Sequence, residues 1–267
     1  MAAAARPIST GPLAPPSPAA RPAGDEPTRA EACLNVARER DRGGRVAEAI
    51  VAYRAAIAIA EEDAESGVLA DALRHLSYVH HRRREGAEAR ALCQRSLAVA
   101  VAVGDAALAS QALNSLGVYH LDAGELAAAR ETFHSALRAD TPARVRGSIE
   151  QNLGILANIQ GGLDAALGHY SRSLEAFLSC GDDRGCAIAY NNLGMVSADR
   201  KLWGDAERFF ANSLEMATKL GDVHLRGLAL LNQTEVFIAR QRYEEGLRSA
   251  EGALAIFDKL GARANKS

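Results

Sequence analysis

Apolar positions recur along this chain at helical spacing, and the spacing itself repeats. Counting forward from Leu193, Ala206, Phe210 and Leu214 stand 13, 17 and 21 residues on. The same offsets from Val36, Leu76, Leu116, Leu153 and Gln233 reach a small residue first: Ala49, Ala89, Ala129, Ala166 and Gly246. They then reach Tyr53, Cys93, Phe133, Tyr170 and Ala250, and last Ile57, Leu97, Leu137, Leu174 and Leu254. Steps of four place these three positions on one helical stripe. The six anchors are separated by 40, 40, 37, 40 and 40 residues, and a period in that range predicts a stack of supersecondary units. Each unit reads as a helical hairpin. Helix A carries the anchor, and helix B carries the stripe, whose small residue admits close approach while the ring fills the gap beside it. Gly44, Gly124 and Gly161 mark the turn between them. Val46, Leu126, Leu163, Trp203 and Tyr243 follow two residues after that turn position, which predicts a packing role for Trp203.

Breaks between units are marked as well. Gly104-Asp105, Gly181-Asp182 and Gly221-Asp222 share one offset. Glycine takes the left-handed conformation that ends a helix, and the aspartate caps the next one. Unit three departs: Asp140-Thr141-Pro142 replaces this signal, the unit is three residues shorter, and Glu150 then stands in a large-apolar slot. A change of superhelical pitch is expected there. In unit six Gly261 is followed by Ala262, so helix B is expected to close at Lys259-Leu260, with Leu254, Ile256 and Phe257 left as an open apolar strip. Such a strip predicts either further repeats or pairing with another copy through the last repeat, because terminal repeats need a polar outer face.

The pattern resembles the tetratricopeptide repeat (TPR). Leu73, Leu113, Tyr190 and Leu230 take that family's large-apolar slot, and Leu116-Gly117, Leu153-Gly154 and Leu193-Gly194 match its Leu-Gly pair. Val36-Ala37, Leu76-Ser77 and Gln233-Thr234 depart from it. The 40-residue period is similar to the longer-helix variety found in kinesin light chains and in bacterial regulators. The resemblance implies an all-α fold, a right-handed α-solenoid of about six hairpins, spanning residues 29–261. An Ala/Pro-rich segment, residues 1–28, precedes the array, and a short tail, residues 262–267, follows it.

Composition narrows the function. The net charge of −2 gives no general affinity for nucleic acid or an anionic membrane. Seven of the eight prolines lie in residues 1–28, which predicts disorder there. Arg6 and Pro7 interrupt the only candidate leader, although Arg6 and Arg21 ahead of Asp25 leave an organelle transit peptide as an alternative. A cytoplasmic location is expected from the missing signals, and a bacterial source from four lysines among 31 basic residues. Phosphate loops, dinucleotide fingerprints, nucleophile elbows and zinc spacings are absent, so no enzyme, cofactor or metal is expected. Cys93 sits in the ring slot as an apolar filler, while Cys180 and Cys186 flank a joint where a disulfide is one alternative. The run His80-His81-Arg82-Arg83-Arg84 reads either as an anion or nucleic-acid contact or as a solvated turn.

The strongest binding candidate is a ladder. Asn35, His75, Ser115, Asn152, Asn192 and Asn232 each precede an anchor. By the resemblance this position looks into the concave groove, where an amide, both donor and acceptor, can bond the backbone of an extended peptide. Arg74, Tyr78, Asn114, Gln151, Asn191, Met195 and Glu235 share the face and would set side-chain preference. The alternative role of these residues is to bond adjacent helices and set the stacking. The expected function is a non-catalytic scaffold holding a peptide or helix of a protein partner. The alternative is the sensing arm of a bacterial transcriptional or signalling regulator, as one piece of a longer array or on its own.

Overall fold

The computed structural model describes residues 26–264. Among them are twelve helices and no strand, a count that matches six hairpins. They are α1 (Arg29–Arg42), α2 (Val46–Glu62), α3 (Ser66–Arg82), α4 (Gly86–Ala102), α5 (Ala106–Asp122) and α6 (Leu126–Ala136), followed by α7 (Ala143–Ile159), α8 (Leu163–Ser179), α9 (Asp183–Asp199), α10 (Trp203–Lys219), α11 (Val223–Ala239) and α12 (Tyr243–Ala264). They form two compact units, one before Arg146 and one from Arg146 onward. In the N-terminal unit the hairpins α1–α2, α3–α4 and α5–α6 pack in sequence, and the A helices α1, α3 and α5 touch in succession. In the C-terminal unit α9–α10 and α11–α12 are hairpins, α8 packs on α9, and α9 touches α11.

The size of one side chain decides how each hairpin closes. Gly117, Gly154 and Gly194 follow their anchors directly. A Cβ there would lie 2.4 Å from the Phe133 ring, 2.6 Å from Tyr170 and 2.5 Å from Phe210 respectively. The three rings are almost wholly buried, so the Leu-Gly pair is the socket for the helix B ring. Ser77 stands in the glycine slot of repeat two, and its ring slot holds the small Cys93, which also donates from Sγ to the Ala112 carbonyl at 3.3 Å. Repeat six has Thr234 opposite Ala250. In repeats two and six the departures are therefore paired, a filled socket facing a small knob, whereas repeat one holds Ala37 and Tyr53 together in its core.

Turns follow the same register. Gly44, Gly124 and Gly161 lie at φ of 75–77° between helices A and B, and Gly104, Gly181 and Gly221 at 67–70° between repeats. Arg84 (64°), Lys201 (61°) and Gln241 (58°) adopt the left-handed conformation at the A–B turn without glycine, as Ala64 (56°) does at the first inter-repeat turn. Asp105, Asp182 and Asp222 cap the next helix by accepting from the backbone N–H of Leu108, Gly185 and Leu225 at 2.9–3.0 Å. Thr28 and Glu31 form a reciprocal capping box at the start of α1. Repeat three is cut short. Helix α6 ends after 11 residues, and Thr141 bridges the bend, its Oγ accepting from Arg138 N at 2.9 Å and donating to the Ala136 carbonyl at 3.2 Å.

Two expectations at the ends change. Helix α12 does not close at Lys259-Leu260 but runs through Gly261 to Ala264, since no aspartate follows Gly261 to begin another helix. Ile256 and Phe257 are half-buried against Gly227 of α11, so they are not part of an open strip. Residues 1–25 of the proline-rich segment and residues 265–267 lie outside the described residues.

Candidate functional site

The ladder positions fall on the A helices, three in each unit. Those of the N-terminal unit are satisfied internally. Asn35 is exposed and accepts from Arg38 at 3.3 Å. Ser115 donates back to the Gln111 carbonyl at 3.1 Å. His75 is buried, stacked on Tyr53 with ring centroids 5.9 Å apart, and its Nε2 faces Arg38 Nε at 3.3 Å and an Arg74 nitrogen at 3.2 Å. Two guanidinium donors on Nε2 make that nitrogen the acceptor. Burial, then the adjacent Arg74, push the His75 pKa well below its ordinary value. Asp71 closes the cluster by pairing with Arg74 at 2.5 Å and with Arg38. Burial alone would raise its carboxyl, but Arg74, His75 and Arg38 outweigh it and hold it at about 2. Neither Arg38 nor Asp71 belongs to the predicted site. Both lie on the same face as the ladder, at the register positions two after and five before their anchors, and that extension of the stripe is the signal that finds them.

The basic run after this cluster ends in a solvated turn, with Arg82, Arg83 and Arg84 exposed, but it is not a free patch. His80 is buried against Glu85, with 2.5 Å between Nδ1 and Oε2. His81 bonds Asp122 at 2.8 Å and stacks on Tyr119. Arg82 pairs with Asp41 and lies 4.9 Å over the half-buried Tyr78 ring. Arg83 holds Glu85 at 2.9 Å. The run thus ends α3 by joining neighbouring repeats through ion pairs. Asn114 is half-buried on α5.

The C-terminal unit differs. On α9, Ile188, Asn191, Asn192 and Met195 share one face at helical spacing and all are buried. Asn232 of α11 donates to Asn191 Oδ1 at 3.0 Å, an amide rung between consecutive A helices. Asn191 Nδ2 reaches only the Met195 sulfur, at 3.6 Å. Asn192 is 1% exposed, yet neither its Nδ2 nor its Oδ1 has a partner. On α7, Gln151 is buried with Oε1 unpaired, and Asn152 is half-buried. Glu235 is exposed on α11. Leaving a buried polar atom unbonded costs about 1–3 kcal/mol, so this face carries unspent bonding capacity; in the N-terminal unit the buried Nε of Arg74 is the unbonded atom on the corresponding face.

Other predicted features are structural. Trp203 is half-buried against Met195, Ala198, Ala206, Phe210 and Val236. All four cysteines are free, and burial pushes the Cys93 thiol up to about 12 and that of Cys186 up to about 11. Glu150 is buried in its apolar slot and held by His169 at 2.7 Å and Arg172 at 3.0 Å. Among the described residues no group of three His, Cys, Asp or Glu side chains could hold a metal ion, and no helix is long and apolar enough to cross a membrane. On the last repeat, Leu247 and Leu254 are each 61% exposed, and Leu231 and Ile238 of α11 are also exposed.

The tetratricopeptide repeat profile matches residues 146–219 and, separately, residues 69–103. No curated protein matches the sequence. Solved structures of similar fold include BtubC (BKLC) from P. vanneervenii, at 18% identity and a TM-score of 0.68, covering 88% of this chain and 93% of that one. The apo form of RapI matches at 15% identity and a TM-score of 0.60, covering 88% of this chain and all of the other. A Rap protein complexed with competence and sporulation factor matches at 13% and 0.65, covering 87% and 76%.

Proposed function

We propose that this chain, which belongs to the tetratricopeptide repeat family, is a protein–protein interaction scaffold whose C-terminal unit holds an extended segment of a partner on the A-helix face of α7, α9 and α11. One observation carries the reading: the buried amide of Asn192 has no bond on either polar atom. A leucine would fill that apolar setting between Ile188 and Met195 without such a cost. An amide offers a donor and an acceptor to one peptide group. A similar fold, that of a Rap protein, is known with competence and sporulation factor bound, which supports a binding role for such hairpin stacks. A sensing arm of a regulator would use the same event, with an effector peptide as the occupant. The test is Asn192→Leu. The reading requires higher unfolding stability together with lost peptide binding, and a variant that keeps its binding overturns it.

Self-association through the last repeat rests on a comparison of slots. The counterparts of Leu247 and Leu254 in repeat one, Ile50 and Ile57, are 9% and 8% exposed because repeat two covers them. A second copy seated on α12 would bury the same positions in repeat six. Sedimentation of Leu247→Glu/Leu254→Glu should then show a lighter species than the unmutated chain, and equal masses exclude the pairing.

A further inference from the structure

A cavity of about 360 Å³ opens in the N-terminal unit, away from the ladder. Ala47, Ile50 and Arg54 of α2 line one side, and His80, Arg83 and Glu85, where α3 turns into α4, line the other. It belongs to helix B of repeat one and the turn of repeat two, so the peptide face proposed above does not include it. Its size is at the lower end of small-molecule sites.

The chemistry of the lining is specific. His80 is 6% exposed, and its Nδ1 faces Glu85 Oε2 at 2.5 Å. The other Glu85 oxygen takes Arg83 Nε at 2.9 Å. Bonds from His80 and Arg83 hold the Glu85 carboxyl below its usual range, so it is an anion. A carboxylate cannot donate, so the shared proton sits on Nδ1, and in the neutral imidazole Nε2 presents a lone pair. That Nε2 is buried and has no partner. Across the cavity Arg54 is exposed and has no hydrogen-bond or ion-pair partner among the described residues. Two guanidinium groups against one carboxylate leave a surplus positive charge, and Ala47 with Ile50 supplies an apolar floor.

The next repeat shows which parts are ordinary. There His120 pairs with Glu125, which also takes Arg90. The clamp across the turn therefore recurs as a structural device. But His120 is 27% exposed to water, and the slot of Arg54 holds Gln94. What sets repeat one apart is the buried acceptor opposite a free cation.

We infer that this cavity binds a small organic anion: its acid group on Arg54, an adjacent N–H or O–H donor on His80 Nε2, and an apolar portion on Ile50 and Ala47. An N-acyl amino acid has all three features, and so does the last residue of a peptide. The inference stands independently of the ladder. A planar guanidinium fork matches a carboxylate in two-point geometry, and a buried imidazole acceptor gains the bond that it lacks.

The test is a titration of the full chain with N-acetyl-leucine, followed through the imidazole resonances of His80 and His120. The His80 signals should shift saturably while those of His120 stay in place. N-acetyl-leucinamide, which lacks the acid, should leave both in place. Arg54→Gln, an exposed substitution, should weaken binding about tenfold, the effect of one lost charge-assisted bond. His80→Gln, read through the neighbouring backbone amides, should also weaken it. A longer peptide ending in leucine then separates the sources: tighter binding assigns a chain terminus, and equal binding assigns a free metabolite. Unmoved His80 signals up to the solubility limit, or shifts that survive Arg54→Gln or loss of the acid group, would overturn the site.

Discussion

Gly194→Ala separates packing from helix propensity, because the two predict opposite signs. Gly194 lies within helix α9, where alanine is intrinsically favoured by about 1 kcal/mol. Its new Cβ would stand 2.5 Å from the edge of the Phe210 ring, against an ordinary contact of at least 3.4 Å. The ring is 1% exposed, so it can move only by displacing packed neighbours. Overpacking of this kind costs about 1–3 kcal/mol, and a clash with three ring atoms belongs at the upper end. Net destabilisation should be about 2 kcal/mol, measured by urea unfolding followed by circular dichroism. Phe210→Cys copies the ring slot of repeat two, where Cys93 sits beside Ser77. In a Gly194→Ala background it should relieve the clash, giving a coupling of about 1–2 kcal/mol in a double-mutant cycle. A Gly194→Ala chain more stable than the parent, or additive effects in the cycle, would refute the socket argument.

Two further outcomes follow from the hairpins. Because the folded-state pKa of His75 is depressed, the unfolded chain binds one more proton below its ordinary value near 6.5; stability is lost as pH falls, by about 1.4 kcal/mol per pH unit. The slope of stability against pH between about 6 and 5 should therefore flatten by that amount in His75→Asn, measured by chemical unfolding at each pH. Asp71, held at about 2 against a usual 3.8, adds stability above its unfolded value that is lost as pH falls through the folded one. At the turns, Lys201→Gly and Gln241→Gly should each raise unfolding stability by about 0.5–1 kcal/mol, since left-handed backbone costs a side-chain-bearing residue more than it costs glycine; no gain in thermal midpoint would contradict this.

The hairpin frame is legible from sequence because it repeats. A stripe of Ala206, Phe210 and Leu214, with counterparts in every repeat, marks the packed face of helix B without any long-range information, although Leu254 at the last such position is exposed. Asp105, Asp182 and Asp222 mark helix starts for local reasons, and their bonds bear that out. The linkage between Gly194 and Phe210 was in the sequence too, but only as a correlation between two slots that had to be read jointly and that Ala37 with Tyr53 in repeat one does not follow. The candidate site was less legible. Sequence position places Asn35, Asn192 and Asn232 in one class, yet Asn35 is exposed and bonded by Arg38, Asn232 bonds Asn191, and Asn192 is buried without a partner. That difference comes from neighbours one repeat away, which a single position does not encode. His80 shows the same effect, since only the helix contributed by the previous repeat brings Arg54 and Ile50 opposite it.

The central claim is that the Asn192 amide bonds a partner's backbone. It is tested most directly by observing the Asn192 side-chain NH₂ resonance while peptides selected from a random library are added. The account predicts a downfield, saturable shift of that resonance, absent in Asn192→Leu, with binding lost although that variant is more stable by about 1–3 kcal/mol. Selected peptides that bind Asn192→Leu as tightly as the parent, and leave the Asn192 resonance in place, would contradict it.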